Sequence, residues 1–374
     1  MNTENEIYKK FNATQEEWTD WKWQVENSIT SLDELKKYIP LEENEEKQIF
    51  RCLERLKMRI TPYYLSLIDL NDDKDSIRLQ AIPQVAELVE GDGESLDSLS
   101  EEEQSPVPGL VHRYPDRVLF LSTSQCYMYC RHCTRRHFVS ACPQIDMKKQ
   151  YDNCFEYIRN HPEIRDVVVS GGDPLTLPNE TIEYILSNLR NIKHVQIIRI
   201  GSRVPVVLPY RVSDELCSIL AKYHPVWLNT HFNNPKEITG EAIEACNKIV
   251  SHGIPMNNQS VLLAGVNDSV DTMKELVQKL MLARVRPYYL YECDMVEGLS
   301  HFRTPIAKGI EIIENLRGWT TGLAVPIFVV DTKGGKGKVP IQPDYIVKAD
   351  AKSLVLRNYL NEKVEYTEPN MLIG

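Results

Sequence analysis

The sequence lacks several features that would place it in other functional classes. No run of consecutive apolar residues approaches the ~18 that a membrane helix needs, and no apolar leader precedes the first charged residues. With 53 acidic and 43 basic residues, it also lacks the clustered basic excess of a nucleic-acid-binding surface. We therefore expect a cytoplasmic protein that acts on a small molecule, with no membrane or nucleic-acid partner.

Cysteine is scarce outside one short segment. Three of the nine cysteines, Cys126, Cys130 and Cys133, have the spacing C-x3-C-x2-C. The other six are scattered singly, as expected of buried apolar side chains in a reducing compartment rather than of a disulfide framework. These six are Cys52, Cys142, Cys154, Cys217, Cys246 and Cys293.

The three-cysteine segment lacks a fourth ligand at short spacing. Three thiolates on one loop can hold iron–sulfur or zinc centres, but a structural zinc site needs four ligands, and a simple electron carrier usually brings a fourth cysteine in the same run. A [4Fe–4S] cluster bound here would keep one iron free for a ligand that is not protein. This spacing is typical of the radical S-adenosylmethionine enzymes, in which the free iron binds that cofactor and cleaves it to a 5′-deoxyadenosyl radical.

The first part of the chain has the periodicity of helices. Capping boxes at Thr14-x-x-Glu17 and Ser31-x-x-Glu34 each precede an apolar stripe and predict two helices. A third apolar stripe predicts a helix over about residues 43–60. The N-terminal region is therefore expected to be helical.

Changes in composition divide the chain into three parts. Residues 91–105 are acidic and small, which predicts a solvated linker. We expect a helical N-terminal region with this linker over residues 1–105, a catalytic barrel with a lysine-bearing loop over 106–345, and a C-terminal extension over 346–374.

Beyond the linker, six β-rich runs alternate with helical patterns, which predicts parallel βαβ units. The predicted strands lie near residues 118–122, 167–170, 195–200, 226–231, 257–261 and 286–291. Six such units are too few to close an eight-stranded barrel. The expected fold is therefore α/β, a partial (βα)6 TIM-like barrel with a helical N-terminal region.

Polar residues lie where these strands end, and in such barrels the active groups lie at the strand C-terminal ends. The cysteine loop follows the first strand, and Ser170-Gly171-Gly172-Asp173 ends the second, where glycine lets the backbone approach a ligand closely. The next three strands carry Arg203, His231 and Gln259. Each of these residues alone could be a turn or a strand cap, but together they outline one binding site.

A glycine-rich stretch over residues 331–340 carries Lys333, Lys336 and Lys338 behind a hydrophobic strand. It does not have the spacing of a phosphate-binding Walker loop. A flexible lysine beside a cleft suits a Schiff base with pyridoxal phosphate, whose phosphate would need basic partners such as Arg113 and Arg117. Glycine–lysine loops are also common as solvated turns, so this stretch alone does not establish the cofactor.

Taken together, five segments closely resemble the lysine 2,3-aminomutase family. They are residues 112–117, 126–136, 170–173 and 301–305 and the glycine–lysine loop. The resemblance implies an isomerase that interconverts L-lysine and L-β-lysine with a [4Fe–4S] cluster, S-adenosyl-L-methionine and pyridoxal 5′-phosphate. It also implies an external one-electron reductant such as flavodoxin or ferredoxin, and a homo-oligomer.

The resemblance also implies the roles of individual residues. The cluster ligands would be Cys126, Cys130 and Cys133. Pyridoxal phosphate would be attached to Lys338 and contacted by Arg113, Tyr114 and Arg117. The substrate carboxylate would pair with Arg135, and its distal ammonium with Asp294 and Asp331. S-adenosylmethionine would lie against Ser170, Gly171, Gly172, Asp173, Arg203, His231 and Gln259.

The sequence departs from the family pattern in two places. The family loop usually reads Pro-Gly-Gly-Gly-Gly-Lys, whereas Lys333 and Lys336 stand here at the proline and one glycine position. Lys338 is chosen because its spacing from Asp331 is that of the family. The family's zinc cysteines are missing, with Ser269 at the mid-chain position, so we expect no stoichiometric zinc and an oligomer, if any, held by the N-terminal helices.

Two alternatives stay open at this point: a sister aminomutase that acts on arginine or glutamate, and a non-catalytic iron–sulfur protein. Two acids in the distal pocket would repel the side-chain carboxylate of glutamate. Arginine carries a distal cation, but its planar guanidinium needs more room than an ammonium.

Overall fold

The computed structural model of the chain describes residues 6–139, 146–350, 353–367 and 369. Its main sheet has nine strands, which neighbour one another in chain order. The strands are β1 (Leu110–Tyr114), β2 (Arg117–Thr123), β3 (Asp166–Gly171), β4 (Ile197–Gly201), β5 (Val226–Thr230), β6 (Met256–Leu262), β7 (Arg286–Glu292), β8 (Ile327–Asp331) and β9 (Lys338–Pro340).

Strands β2 to β8 run parallel, and β1 and β9 add one antiparallel strand at each edge. All six predicted strands are present as β2 to β7. The count of six is not confirmed, because β8 also joins the sheet in parallel, with Tyr289 opposite Ile327. Among the described residues β1 and β9 do not pair with each other, so the sheet is open and the predicted α/β class is confirmed.

Helices follow the parallel strands and bury one apolar face each. In α9, for example, Ile182, Ile185, Leu186 and Leu189 are buried at three- and four-residue spacing. Among the described residues, no helix combines the length and the apolar character that crossing a membrane requires.

The α-helices are α1 (Glu6–Lys10), α2 (Gln15–Thr19), α3 (Trp21–Glu26), α4 (Leu32–Leu35), α5 (Glu43–Leu53), α6 (Pro62–Leu65), α7 (Ser76–Ala81), α8 (Met147–Arg159), α9 (Asn179–Arg190), α10 (Val204–Val207), α11 (Asp214–Ala221), α12 (Gly240–Ser251), α13 (Val270–Leu282) and α14 (Ile306–Leu316). Short 3-10 helices span Val85–Leu88, Pro174–Thr176, Pro209–Arg211, Pro235–Glu237, Ser300–Phe302, Gly322–Ala324 and Lys333–Gly335.

The N-terminal region is helical, as predicted. Both capping boxes are formed, with Thr14 at the start of α2 and Ser31 at the start of α4. The third predicted helix, α5, ends earlier than expected, at Leu53. The reason is that Ile60 is extended and exchanges backbone hydrogen bonds with Ile29, at 3.0 and 2.8 Å.

The C-terminal residues form a second, separate sheet. Its three antiparallel strands are β10 (Ile346–Ala349), β11 (Ser353–Arg357) and β12 (Lys363–Thr367). Arg357 of β11 pairs with Glu314 of α14, which ties this sheet to the main body. The predicted boundary at residue 345 falls between the two sheets but stays a prediction.

Of the six singly spaced cysteines, Cys142 lies outside the described residues. The other five are buried free thiols, as expected; they are Cys52, Cys154, Cys217, Cys246 and Cys293. The described cysteines therefore behave as small apolar core residues outside the three-cysteine loop.

The acidic segment, residues 91–105, is not the solvated linker that its composition predicts. The carbonyl of Ser98 accepts a hydrogen bond from the N–H of Gly334 at 2.9 Å, and Gln104 Nε2 donates to the carbonyl of Gly335 at 3.1 Å. Two of its polar groups thus find partners in the glycine–lysine loop. A segment with little apolar surface can pack in this way because its hydrogen bonds are satisfied by protein.

Candidate active site

The loop after β2 brings the three predicted cluster ligands to one cavity. Cys126, Cys130 and Cys133 all line it, together with Tyr129 and Leu56. Burial raises the pKa of the Cys126 thiol, and it raises the pKa of Cys133 to about 11. Buried thiols lose their protons readily only where positive charge compensates, as iron does when thiolates bind it. The donor set therefore fits an iron–sulfur cluster.

Among the described residues, no three His, Cys, Asp or Glu side chains converge closely enough to hold a single metal ion. A [4Fe–4S] cluster distributes its ligands over separate iron atoms, so its cysteines need to line one cavity without meeting at a point. The expected lack of zinc stays a prediction, which metal analysis of the purified protein can test.

A buried polar network lies behind Cys130. Arg203 Nη1 donates to Cys130 Sγ at 2.7 Å, and Arg203 Nη2 lies 2.6 Å from a carboxylate oxygen of the fully buried Glu237 side chain. The backbone N–H of Arg203 and the hydroxyl of Ser202 both donate to Asp173 at 2.7 Å. The structure thus brings together Arg203 and Asp173, which the sequence placed at neighbouring strand ends.

The glycine turn after β3 packs tightly against the start of the cysteine loop. Gly171 has a positive φ of 125°, and a Cβ there would lie 2.3 Å from the carbonyl oxygen of Thr123. A Cβ on Gly172 would lie 2.3 Å from the carbonyl oxygen of Gln125. Both glycines are therefore required for this backbone contact. Their predicted contact with S-adenosylmethionine, like that of Ser170, stays a prediction.

His231 directly follows β5, and Gln259 lies in the middle of the neighbouring strand β6. Burial, with a further contribution from the Arg203 cation, lowers the pKa of His231 to about 4, so its imidazole is neutral near pH 7. Gln259 Nε2 donates to the hydroxyl of Tyr291 at 3.2 Å. Because Tyr291 also contacts Lys338, Gln259 is linked to the lysine end of the site.

Lys338 begins β9 and turns its side chain into the site. Its Nζ pairs with both carboxylate oxygens of Asp331, at 2.8 and 2.7 Å, and lies 4.9 Å from the centre of the Tyr291 ring. Its backbone N–H donates to the hydroxyl of Tyr114 at 3.0 Å. Lys338, Asp331 and Tyr114 therefore form one cluster, and their roles in binding pyridoxal phosphate and substrate stay predictions.

The other predicted pyridoxal phosphate contacts are on the β1–β2 hairpin beside Lys338. The Arg117 guanidinium lies 3.8 Å from the centre of the Tyr114 ring. Arg113 Nε donates to the side chain of Gln104 at 2.7 Å, and its Nη2 donates to the carbonyl of Leu99 at 2.6 Å. The acidic segment thus holds Arg113 in place.

The three predicted substrate contacts lie near each other, but two of them already have protein partners. Arg135 donates two hydrogen bonds of 2.6 Å to the carboxylate of Glu101, and Asp331 pairs with Lys338. Burial raises the pKa of Asp294 to about 7, and the nearby carboxylates of Asp331 and Glu101 add to this effect. The site therefore gathers several opposing charges within a small volume.

Glu87 is a candidate structural anchor of the site that the sequence did not reveal. Its carboxylate, almost fully buried, accepts hydrogen bonds from Arg131 Nε and Nη2 and pairs with Arg136. Both arginines belong to the cysteine loop. Nothing in the local sequence distinguishes a buried glutamate in a short 3-10 helix from a solvent-exposed glutamate, so only the structure identifies Glu87.

We expect Glu87→Ala to lower the free energy of unfolding by about 3–5 kcal/mol, because two buried guanidinium groups would lose their shared counter-ion. Chemical denaturation measures this change. The control is Glu183→Ala, which removes the partner of the exposed Lys222 and should lower the free energy of unfolding far less, because solvent screens an exposed ion pair. Equal losses for the two variants would contradict the anchoring role.

Comparison with known proteins places this chain in a family. The model of the radical SAM superfamily matches residues 120–279, and a model described as Lysine-2,3-aminomutase matches residues 313–373. The L-lysine 2,3-aminomutase of Acetoanaerobium sticklandii is 56% identical over 358 residues, covering 96% of this chain and 86% of that protein. The L-lysine 2,3-aminomutase of Fusobacterium nucleatum is 55% identical over 370 residues, covering 99% and 87%.

A relative with a different name is also similar. The glutamate 2,3-aminomutase of Clostridioides difficile is 43% identical over 366 residues, covering 96% of this chain and 86% of that protein. The matched radical SAM region contains the second half of β2, the three-cysteine loop and β3 to β6, and the sheet is the curled half-barrel of that superfamily. The resemblance expected from the sequence is confirmed: the chain belongs to the lysine 2,3-aminomutase family of radical S-adenosylmethionine isomerases.

Proposed function

We propose that this protein interconverts L-lysine and L-β-lysine by a radical 1,2-migration of the amino group. The observation that carries this proposal is the charge layout at the C-terminal edge of the sheet. Arg135 can bind a carboxylate, and the carboxylates of Asp294 and Asp331 can bind an ammonium group beside Lys338. This pattern of charges suits an amino acid with a cationic side chain.

The proposal assigns each cofactor to the residues predicted to bind it. The cluster would be held by Cys126, Cys130 and Cys133, and pyridoxal phosphate by Lys338, Arg113, Tyr114 and Arg117. S-adenosylmethionine would lie against Ser170, Gly171, Gly172, Asp173, Arg203, His231 and Gln259. When bound, these groups supply the radical and hold the migrating nitrogen, with electrons from a reductant such as flavodoxin or ferredoxin.

The side chains of the protein mainly position the substrate. Arg135 fixes its carboxylate and the two aspartates fix its far end, so the carbon chain between them is held in one orientation. The acidic segment packs against the glycine–lysine loop. In that position it limits the access of water to the site, which protects reactive intermediates.

The same charges favour lysine over glutamate. At a separation of ~4 Å and an effective dielectric constant of ~20, two like charges repel by on the order of 4 kcal/mol before desolvation. A glutamate side chain would place its carboxylate against Asp294 and Asp331. The similarity to a glutamate 2,3-aminomutase is thus outweighed by the charge of the pocket.

We also propose that the six βα units from β2 to β7 form the barrel proper, and that β8 and β9 carry the glycine–lysine loop into its mouth. The division into residues 1–105, 106–345 and 346–374 is supported by the separate sheet that begins at Ile346. The match to the Lysine-2,3-aminomutase model, over residues 313–373, crosses the proposed boundary at residue 345.

An anaerobic assay tests the function directly. Protein with reconstituted cofactors is incubated with reductant and L-lysine, L-arginine or L-glutamate, and the products are separated by chromatography. We expect β-lysine from lysine and little product from the other two amino acids. Formation of β-glutamate or β-arginine without β-lysine would overturn the assignment.

Asp331→Asn should lower kcat/KM for L-lysine by about 100-fold, since loss of one partner from a buried charge pair costs about 2–5 kcal/mol. With L-norleucine, which lacks the distal ammonium, the loss should be much smaller. Both constants come from the same anaerobic assay. Equal losses for the two substrates would show that Asp331 serves Lys338 or its loop rather than the substrate.

We expect kcat/KM for L-lysine to rise with pH and to level off above about pH 7. The raised pKa of Asp294, about 7, leaves its carboxyl protonated and neutral at lower pH, where it cannot pair with an ammonium group. Asp294→Asn should lower kcat/KM and remove the rise. A wild-type profile that is already flat below pH 7 would contradict this role.

A further inference from the structure

The side chain of Glu101 lies inside the proposed site. Glu101 belongs to the acidic segment, residues 91–105, whose composition predicts that it is solvated. Its side chain is only 17% exposed, and that of its partner Arg135 is 23% exposed. Glu101 Oε2 accepts from Arg135 Nε and Oε1 accepts from Arg135 Nη2, each at 2.6 Å. Such a bidentate pair fixes the plane of the guanidinium as well as its position.

The pair occupies only one edge of the guanidinium. Arginine has five N–H donors, and Glu101 engages the Nε–Nη2 edge. The Nη1–Nη2 edge has the same fork geometry and can bind a second carboxylate. Arg135 can therefore bind a substrate carboxylate without releasing Glu101.

The backbone around Glu101 is itself held in place. The N–H groups of Glu101 and Glu102 donate to the two carboxylate oxygens of Asp97, at 2.9 and 3.0 Å. The carbonyl of Leu99 accepts from Arg113. The acidic segment thus connects Glu101 to Arg113, the arginine proposed to bind phosphate. These hydrogen bonds hold the backbone of Glu101, and with it the side chain, in one position.

The charge of Glu101 matters as well as its shape. Burial alone would raise the pKa of its carboxyl group, but the cations of Arg135, Arg113 and Lys338 hold that pKa below its ordinary value. Glu101 is therefore ionised at neutral pH. Its charge balances that of Arg135, so binding of a substrate carboxylate depends on the orientation of the free guanidinium edge more than on excess positive charge.

We propose that Glu101 is a positioning residue for substrate recognition: it orients Arg135 so that the free Nη1–Nη2 edge binds the α-carboxylate of the amino-acid substrate. This inference rests on the proposed function, which supplies that substrate. It makes the acidic segment a determinant of specificity for α-amino acids over amines and amides of the same length.

The test compares Glu101→Gln with wild type by calorimetric titration of L-lysine and L-lysinamide, in which the carboxylate is replaced by a neutral amide. The protein carries its cluster and pyridoxal phosphate, and reductant is omitted so that no turnover occurs. We expect the Kd for lysine to rise at least 10-fold, because loss of a charged hydrogen-bonding partner typically costs a factor of about 10 or more. The Kd for lysinamide should change by less than about twofold, because its neutral amide does not depend on the orientation of Arg135. Glu102→Gln, at an exposed neighbour, removes the same charge and should change neither Kd.

Two outcomes would overturn the inference. Tighter binding of lysine by Glu101→Gln would mean that Glu101 competes with the substrate for Arg135. Equal weakening of lysine and lysinamide would mean that Glu101 only supports the fold of the segment. If Glu101→Gln does not fold, Glu101→Asp, which keeps the charge and shortens the reach, should weaken lysine alone, and equal weakening of both ligands would overturn the inference there too.

The result is separable from the proposed function. Wild-type protein that binds lysine without forming β-lysine would contradict the function, while the difference between lysine and lysinamide would still decide the role of Glu101. If wild type instead converts arginine or glutamate, the same titrations are made with that amino acid and its α-amide.

Discussion

Cys130→Ala should abolish both the [4Fe–4S] cluster and all turnover. The loop offers three thiolates, and the loss of one leaves two for a cluster that already has an open iron. The Arg203 guanidinium, whose Nη1 lies 2.7 Å from Cys130 Sγ, would also lose this sulfur partner and keep its ion pair with Glu237. We expect iron and sulfide contents near background after anaerobic reconstitution.

The wild-type protein, which should bind the cluster, is the positive control for this test. Its reduced cluster should give a paramagnetic resonance signal that changes when S-adenosylmethionine is added, because the free iron gains a ligand. Cys217→Ala is the matched control, since Cys217 is a buried free cysteine on α11 outside the loop, and it should keep the cluster. A cluster that persists in Cys130→Ala with full activity would refute the assignment of the loop.

The sequence predicted most of the fold because its signals are local. The six β-rich runs became strands β2 to β7, and the capping boxes at Thr14 and Ser31 both formed. Strand β8 was recognised as hydrophobic but not as part of the parallel sheet. Pairing in a sheet depends on residues far apart in the chain, such as Tyr289 and Ile327, and no local pattern reports it.

Site residues that belong to a local sequence motif could be predicted from the sequence. Site residues that are brought together only by tertiary contacts could not. The cysteine spacing and the lysine loop are local patterns, and their residues lie where the strand order places them. Glu101 and Glu87 pair with arginines 34 and 44 residues away, so only the fold brings them together. The acidic segment was misjudged because composition reports how much apolar surface a segment can bury, not whether its polar groups find protein partners.

Lys338→Ala should lose activity by a factor on the order of 10³ or more, corresponding to about 4 kcal/mol of barrier. Of the three lysines in the glycine–lysine loop, Lys338 is half-buried, whereas Lys333 and Lys336 are exposed. Its Nζ lies against Asp331 and the Tyr291 ring, and its backbone N–H binds Tyr114. Loss of this side chain would remove the proposed attachment point of pyridoxal phosphate and leave Asp331 without the ammonium group it pairs with.

Chemical labelling distinguishes Lys338 from its two neighbours. Lys333 and Lys336 are exposed, and Lys333 Nζ donates to the carbonyl of Gly93, away from Asp331. Borohydride reduction of the protein loaded with pyridoxal phosphate, followed by peptide mapping, should therefore find the label on Lys338. Lys333→Ala and Lys336→Ala should keep both the label and most of the activity, because their side chains lie outside the cluster around Asp331. Label on either of those lysines would mean that the extra lysines have shifted the register of the loop relative to the family pattern.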